Sequence, residues 1–187
     1  MDCAKVVGIL FAAGKGTRFG GNKLEAMFGD AMLGMHAART LAEIGCSRLF
    51  AVHDPVNARL AAALAAEGFT LIDNAAPEAG LSHSLSLAVD AAGATDAAAL
   101  LICLADMPFV TGAHLKALIE AGDHHVVTSA VGDVRMPPAL FPRDRWSILA
   151  AATGDAGARS LLREAITIQG SRAMLADVDT RADLDRL

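Results

Sequence analysis

Apolar positions along this chain fall into short continuous runs that alternate with stretches of helical spacing. Val6 to Ala12 is almost wholly apolar and runs into glycines, the pattern of a strand buried on both faces. Ala31 to Ile44 follows with helical spacing and stops at Gly45. Arg48 to His53 is a second strand, and an Ala-rich helix opens at Pro55 and ends at Gly68. Phe69 to Asp73 is a third strand. Ser82 to Ala92 reads as a helix capped by a serine, and Ala97 to Leu104 as another apolar strand, running to Asp106-Met107-Pro108.

The same rhythm continues past Pro108. Thr111 caps a helix reaching Ala121, His125 to Val131 is a strand, and Gly132-Asp133 turns the chain back. A prolyl pair leads into Ala139-Leu140-Phe141, closed by Pro142. Helices fit Arg143 to Ala152 and Ala156 to Ala165, an extended piece fits Ile166 to Gln169, and Ala176 to Asp179 leads into a terminal helix capped by Thr180. Strand and helix in alternation predict an α/β fold: a single doubly wound domain over residues 1–187, with a mostly parallel sheet and helices on both faces. No repeat, low-complexity tract or linker calls for a division.

In such sheets ligands bind outside the carboxyl ends of the strands, so the residues just beyond each strand carry the chemistry. These are Gly14 to Lys23, Asp106 and Asp179. The first is a glycine-rich loop holding Lys15, Arg18 and Lys23, which suits a polyphosphate through backbone N–H groups and local cations. The two carboxylates suit a metal ion bound to that polyphosphate.

Composition narrows the partners. The hydrophobic fraction is 53% with only 4% aromatics and no tyrosine, which predicts an aliphatic, helix-rich core. A net charge of -5 lacks the broad basic field of a nucleic-acid or anionic-membrane surface. No apolar run approaches a membrane span, and the start of the chain lacks a signal-peptide pattern, so a cytoplasmic location is expected. Cys3, Cys46 and Cys103 have no metal-ligand spacing and read as reduced, small core residues. Trp146 reads as a packing anchor, Met27, Met32 and Met35 as gap fillers at the start of a helix, and His124-His125 as an exposed turn.

Two common phosphate loops are excluded by spelling. Gly16 and Gly21 precede Asn22-Lys23-Leu24, so no Gly-Lys-Ser or Gly-Lys-Thr closes a P-loop. Phe19 stands where a dinucleotide fingerprint needs its third glycine.

The loop instead resembles that of nucleotidyltransferases whose first motif reads Leu-Ala-Ala-Gly, a variable stretch, Arg-Met-Gly, then Lys. Leu10-Phe11-Ala12-Ala13-Gly14, Arg18-Phe19-Gly20 and Lys23 fit it, with Phe19 in place of Met and Phe11 inserted near the start. Four further stretches follow in order: Ala79 to Leu85, Leu104 to Pro108, Gly154 to Arg159 and Asp177 to Thr180. Together they are similar to the molybdenum cofactor cytidylyltransferase family, the MobA-like nucleotidyltransferases, over nearly the whole chain.

The resemblance implies a Rossmann-like nucleotidyltransferase fold and a role for each matching residue. Leu10, Ala12, Ala13, Gly14, Lys15 and Gly16 would hold the nucleotide, with Arg18 and Lys23 neutralising its phosphates. Lys23, Arg18 and Asp106 are the expected catalytic residues. Asp106 would bind Mg²⁺; Asp179 is either a second metal ligand or the cap of the last helix. Ser82 and Ser84 would contact base or ribose, cap their helix, or both. Asp155 and Arg159 are candidates for holding the acceptor, or belong to a capped surface helix.

The implied reaction is transfer of CMP from CTP to the terminal phosphate of molybdenum-bearing molybdopterin, with release of pyrophosphate. Ala13 belongs to the spelling associated with CTP, whereas Met136-Pro137-Pro138 stands where relatives often carry Gly-His-Pro. Two other readings fit the same residues: transfer to a different small phosphorylated or hydroxylated acceptor, and a non-catalytic nucleotide-binding factor in molybdoenzyme maturation. A molybdoenzyme or its chaperone is the protein partner that the resemblance implies.

Overall fold

A computed structural model describes residues 1–14, 19–151 and 162–185. In chain order its elements are β1 (Val6–Ala12), the two-residue strands β2 (Met27–Phe28) and β3 (Ala31–Met32), α1 (Leu33–Glu43), β4 (Arg48–His53), α2 (Ala58–Ala66) and β5 (Thr70–Asp73). There follow α3 (Leu81–Gly93), β6 (Ala99–Leu104), α4 (Gly112–Ala121), β7 (Val127–Val131), β8 (Val134–Pro142), α5 (Trp146–Ala150), β9 (Ile166–Gln169) and α6 (Arg181–Asp185).

One seven-stranded sheet runs β5-β4-β1-β6-β8-β7-β9. Its pairings are parallel except at β8, which is antiparallel to both β6 and β7. All seven residues of β1 are buried because the strand lies inside the sheet with helices on both faces. Val6, Leu10 and Ala12 join the core built with Leu41 of α1, Leu60 of α2 and Leu115 of α4. Val7, Ile9 and Phe11 face the other way, onto Leu85 of α3 and Leu149 of α5. This alternation is the period-two consequence of strand geometry.

The doubly wound α/β expectation holds, and strands β1, β4 and β9 have the expected bounds. The chain order reverses about β1, with β4 on one side and β6 on the other, which opens a crevice beyond the carboxyl ends of β1 and β6.

Several local expectations are corrected. The helix expected from Ala31 starts at Leu33, because Ala31 and Met32 first pair back on Met27 and Phe28 across a turn at Gly29. Met27 is consequently exposed on β2 rather than filling a core gap, while Met35 does pack in the core. The helix expected from Ser82 starts at Leu81, and Gly80, not a serine, occupies its N-cap. Ala176 to Asp179 forms no strand. The expected helix at Ala156 to Ala165 lies mainly outside the described residues.

Other expectations match. Thr111 caps α4 by accepting from the His114 N–H, and His124 and His125 are exposed. Trp146 is buried, donates its indole N–H to the Phe141 carbonyl at 3.0 Å, and lies under the Arg143 guanidinium. The three cysteines are unpaired, Cys103 buried and Cys3 and Cys46 half-buried. Burial pushes the Cys46 thiol up to about 12 and raises that of Cys103 as well, which keeps both in the unreactive thiol form.

Candidate active site

Lys23 opens a short 3-10 turn, Lys23–Glu25, just after the glycine loop. A buried lysine needs partners for its ammonium, and this one is only 6% exposed. Its Nζ donates to Asp106 Oδ2 at 2.8 Å and to Asp179 Oδ1 at 3.3 Å. The cation and both carboxylates expected at the site therefore meet at one point.

Backbone and core contacts bring the three together. Asp106 lies just past the end of β6, and its carbonyl accepts from the Val178 N–H at 2.9 Å, which fastens the last segment beside the first carboxylate. Val178 is fully buried against Phe19 and Leu33. Phe19, the residue in the methionine position of the motif, thus pins the far end of the glycine loop to the segment carrying Asp179. The Arg181 guanidinium covers the same ring, 5.3 Å from its centroid.

The cap of the last helix is made by two neighbours of Asp179. Thr180 Oγ1 accepts from the Asp183 N–H at 3.1 Å, while Asp183 Oδ2 accepts from the Thr180 N–H at 2.8 Å and the Thr180 hydroxyl at 2.7 Å. This reciprocal pair caps α6. The Asp179 carboxylate accepts from the Lys23 ammonium.

Beside Lys23 lies a cleft of about 250 Å³ whose lining includes Phe11, Ala13, Gly14, Lys23, Ser84 and Asp106. Ala13 and Gly14 come from the end of β1, and Ser84 from the first turn of α3. Gly80 joins them at φ +82° and ψ -167°, a conformation open to glycine, so the chain can enter α3 and still border the cleft. Ser84 is held from behind by the Asn74 amide, whose Nδ2 donates to Ser84 Oγ at 3.1 Å.

The remaining expected residues are distributed unevenly. Leu10 and Ala12 have fully buried side chains in the opposite core and do not line the cleft; Phe11, between them, does. Ser82 is half-buried and absent from the lining. Lys15, Gly16, Arg18, Asp155 and Arg159 lie outside the described residues. The reading by motif passed over Leu104 as a site residue and did not notice Asn74. The latter immediately follows β5, so the strand-end rule applied to that strand would have found it.

A second cavity of about 540 Å³ adjoins the first and shares Phe11, Leu81 and Leu104 with it. Its other walls are mainly apolar, including Leu85, Ile102 and Phe141, with Arg135 contributed by β8. A buried polar chain holds the strand behind this wall. Ser129 Oγ donates to the Pro138 carbonyl at 2.9 Å and so accepts from His114 Nε2 at 2.8 Å, fixing the proton on that nitrogen. Burial lowers the His114 pKa and keeps the ring neutral.

The acidic pair fits a hard divalent cation. The Lys23 ammonium already lies between oxygens of the two carboxylates, so the position accepts positive charge. Among the described residues no cluster of three or more metal-ligating side chains occurs.

Known proteins resemble this chain over most of its length. The MobA-like NTP transferase domain matches residues 8–171. The purine catabolism protein PucB of Bacillus subtilis is 28% identical over 96% of this chain and 94% of its own length. Phosphoenolpyruvate guanylyltransferase of Sphaerobacter thermophilus is 32% identical over 59% of this chain and 56% of its own. Among solved structures, Rv0371c of Mycobacterium tuberculosis superposes with a TM-score of 0.83, at 23% identity over 98% of this chain and 97% of that one. The same protein has also been solved in complex with manganese, with a TM-score of 0.77, 23% identity, and coverage of 97% of this chain and 96% of that one. On the strength of a domain match spanning most of its length, this chain belongs to the MobA-like NTP transferase family of nucleotidyltransferases.

Proposed function

We propose that this chain, working as one cytoplasmic domain, transfers CMP from CTP to the terminal phosphate of molybdenum-bearing molybdopterin. The observation that carries the transfer chemistry is the meeting of Lys23, Asp106 and Asp179 at the edge of the cleft formed by Ala13, Gly14 and Ser84. An acceptor phosphate oxygen attacks the α-phosphorus in line. The new P–O bond forms as the bond from the α-phosphorus to the bridging oxygen breaks, and pyrophosphate leaves with that electron pair.

The attacking phosphate is already ionised, so no general base is needed and the protein's work is alignment and charge neutralisation. Lys23 exchanges its carboxylate partners for oxygens of the departing pyrophosphate, and Arg18 adds a second cation. Asp106 and Asp179 would hold Mg²⁺, which supplies Lewis-acid polarisation of the phosphoryl oxygens. Backbone N–H groups of Ala13 and Gly14 cradle the nucleotide, and Ser84 meets its base or ribose.

Two features favour the named substrates. Ala13 carries the CTP-type spelling of the loop. The adjoining cavity is mainly apolar, which suits packing of the face of a ring-bodied acceptor such as a pterin. Asp155 and Arg159 remain assigned to the acceptor. A partner in the maturation of a purine-oxidising molybdoenzyme accords with the name of the Bacillus relative.

The test is a panel of CTP, GTP, ATP and UTP assayed for pyrophosphate release with and without molybdopterin and Mg²⁺. Release is expected with CTP only when acceptor and metal are both present. Preference for GTP would overturn the nucleotide assignment. Nucleotide binding without release under any condition would establish a non-catalytic binder instead.

A further inference from the structure

Asn74 is fully buried, and its backbone N–H, side-chain oxygen and side-chain nitrogen are each engaged. Its backbone N–H donates to the His53 carbonyl at 2.8 Å, its Oδ1 accepts from the Ala76 N–H at 3.0 Å, and its Nδ2 donates to Ser84 Oγ at 3.1 Å. A backbone N–H can only donate, so the Ala76 contact fixes which end of the amide is oxygen. The other end must then be the NH₂ group. It follows that Ser84 Oγ is an acceptor toward Asn74, and its own hydrogen points elsewhere. Among the described residues Ser84 donates to no protein group, while its side chain borders the cleft beside Ala13 and Gly14.

We propose that Asn74 is a positioning residue that sets the direction of the Ser84 hydroxyl, committing it to donate to an acceptor atom of the nucleotide. The inference rests on the reading of this cleft as the nucleotide site. It adds that the Ser84 hydrogen is directed to a carbonyl oxygen, an unprotonated ring nitrogen or a ribose oxygen acting as acceptor. For cytosine, the base acceptors are O2 and N3. Through its Oδ1, Asn74 also ties the chain leading to Gly80 to the end of β5, so one buried amide shapes the approach to α3 and orients the serine beyond it.

A near-isosteric exchange separates orientation from structure. Asn74→Asp keeps an oxygen for the Ala76 N–H but turns a second acceptor toward Ser84, which then donates backward into the carboxylate. Asn74→Leu removes both contacts and reports the purely structural cost. CTP binding to the full chain is measured by calorimetry at pH 8 for the wild type, Asn74→Asp, Ser84→Ala and the double variant, with thermal unfolding as the check on folding. Kinetic constants for pyrophosphate release are measured alongside.

Asn74→Asp and Ser84→Ala are each expected to weaken CTP binding roughly fivefold to tenfold, the worth of one uncharged hydrogen bond, and to raise KM more than they lower kcat. The double variant should be no worse than Ser84→Ala alone, because both changes remove the same donor. Wild-type affinity in a folded Asn74→Asp protein, or fully additive losses in the double variant, would overturn the role of Asn74 and leave the nucleotide site standing. Failure of the wild type to bind any nucleoside triphosphate would overturn both.

Discussion

The Lys23 ammonium donates to Asp106 Oδ2 across 2.8 Å, although the two residues stand 83 positions apart in the chain. The pair joins the loop after β1 to the loop after β6, neighbouring strands at the point where the sheet changes direction. Asp179 completes the arrangement from the last segment of the fold. In the proposed reaction this ammonium would neutralise a phosphate of the bound nucleotide.

Lys23→Met, which keeps the stem and removes the charge, should lower kcat by about 10²–10³, the loss typical of one donor aimed at developing transition-state charge. The same variant removes the ammonium that lies between the two carboxylates, so ligand-free protein should bind Mn²⁺ more tightly than wild type. Turnover within a few-fold of wild type, or unchanged Mn²⁺ affinity by calorimetry, would count against the assignment.

Asp179 and Thr180 are adjacent but act through different interactions, and their variants should separate. Thr180→Ala removes the cap of α6 and should cost about 1 kcal/mol of stability with little effect on the metal requirement. Asp179→Asn keeps the cap, so its unfolding temperature should stay close to wild type. The Mg²⁺ concentration for half-maximal activity should nonetheless rise about tenfold, equivalent to about 1.4 kcal/mol. Equal effects of both variants on the metal titration would contradict the division.

Gly80 occupies a backbone conformation at φ +82° and ψ -167° that an L side chain adopts only under strain, although a Cβ there would meet no neighbouring atom. Gly80→Ala should therefore cost about 1–3 kcal/mol through backbone strain alone. Because Gly80 borders the cleft, KM for the nucleotide should rise as well. Chemical denaturation and steady-state kinetics measure the two effects, and a variant as stable as wild type would show that the strain is relieved locally.

His114 is held neutral by burial, with a pKa below the ordinary histidine value of about 6.5. As pH falls through that value the unfolded chain takes up the proton before the folded one, so stability is full above it and declines below. The contribution of this one group cannot exceed about 1.4 kcal/mol per pH unit. His114→Gln keeps a donor toward Ser129 but no titrating ring, and should show a shallower loss of urea-unfolding stability between pH 7 and pH 5. An identical pH slope in variant and wild type would show that His114 does not titrate in this way.

The chain's own pattern determined the strands and the layout. Val6 to Ala12 is continuously apolar because helices cover both faces of β1, a condition that leaves a local signature wherever it occurs. The strand-end rule likewise led from that signature to Lys23 and Asp106, since each lies just beyond a strand that could be recognised locally. Only the tertiary structure showed which residues cap α6. Thr180 and Asp183 satisfy the start of α6 between themselves, and Val178 bonds to the Asp106 backbone. Spacing in a sequence cannot express such contacts, because they depend on which strands become neighbours in the sheet and on which side chains then compete for the same donors. Asn74 shows the same limit: its identity suits any turn, and its consequence appears only once β5 and the first turn of α3 lie together around Ser84.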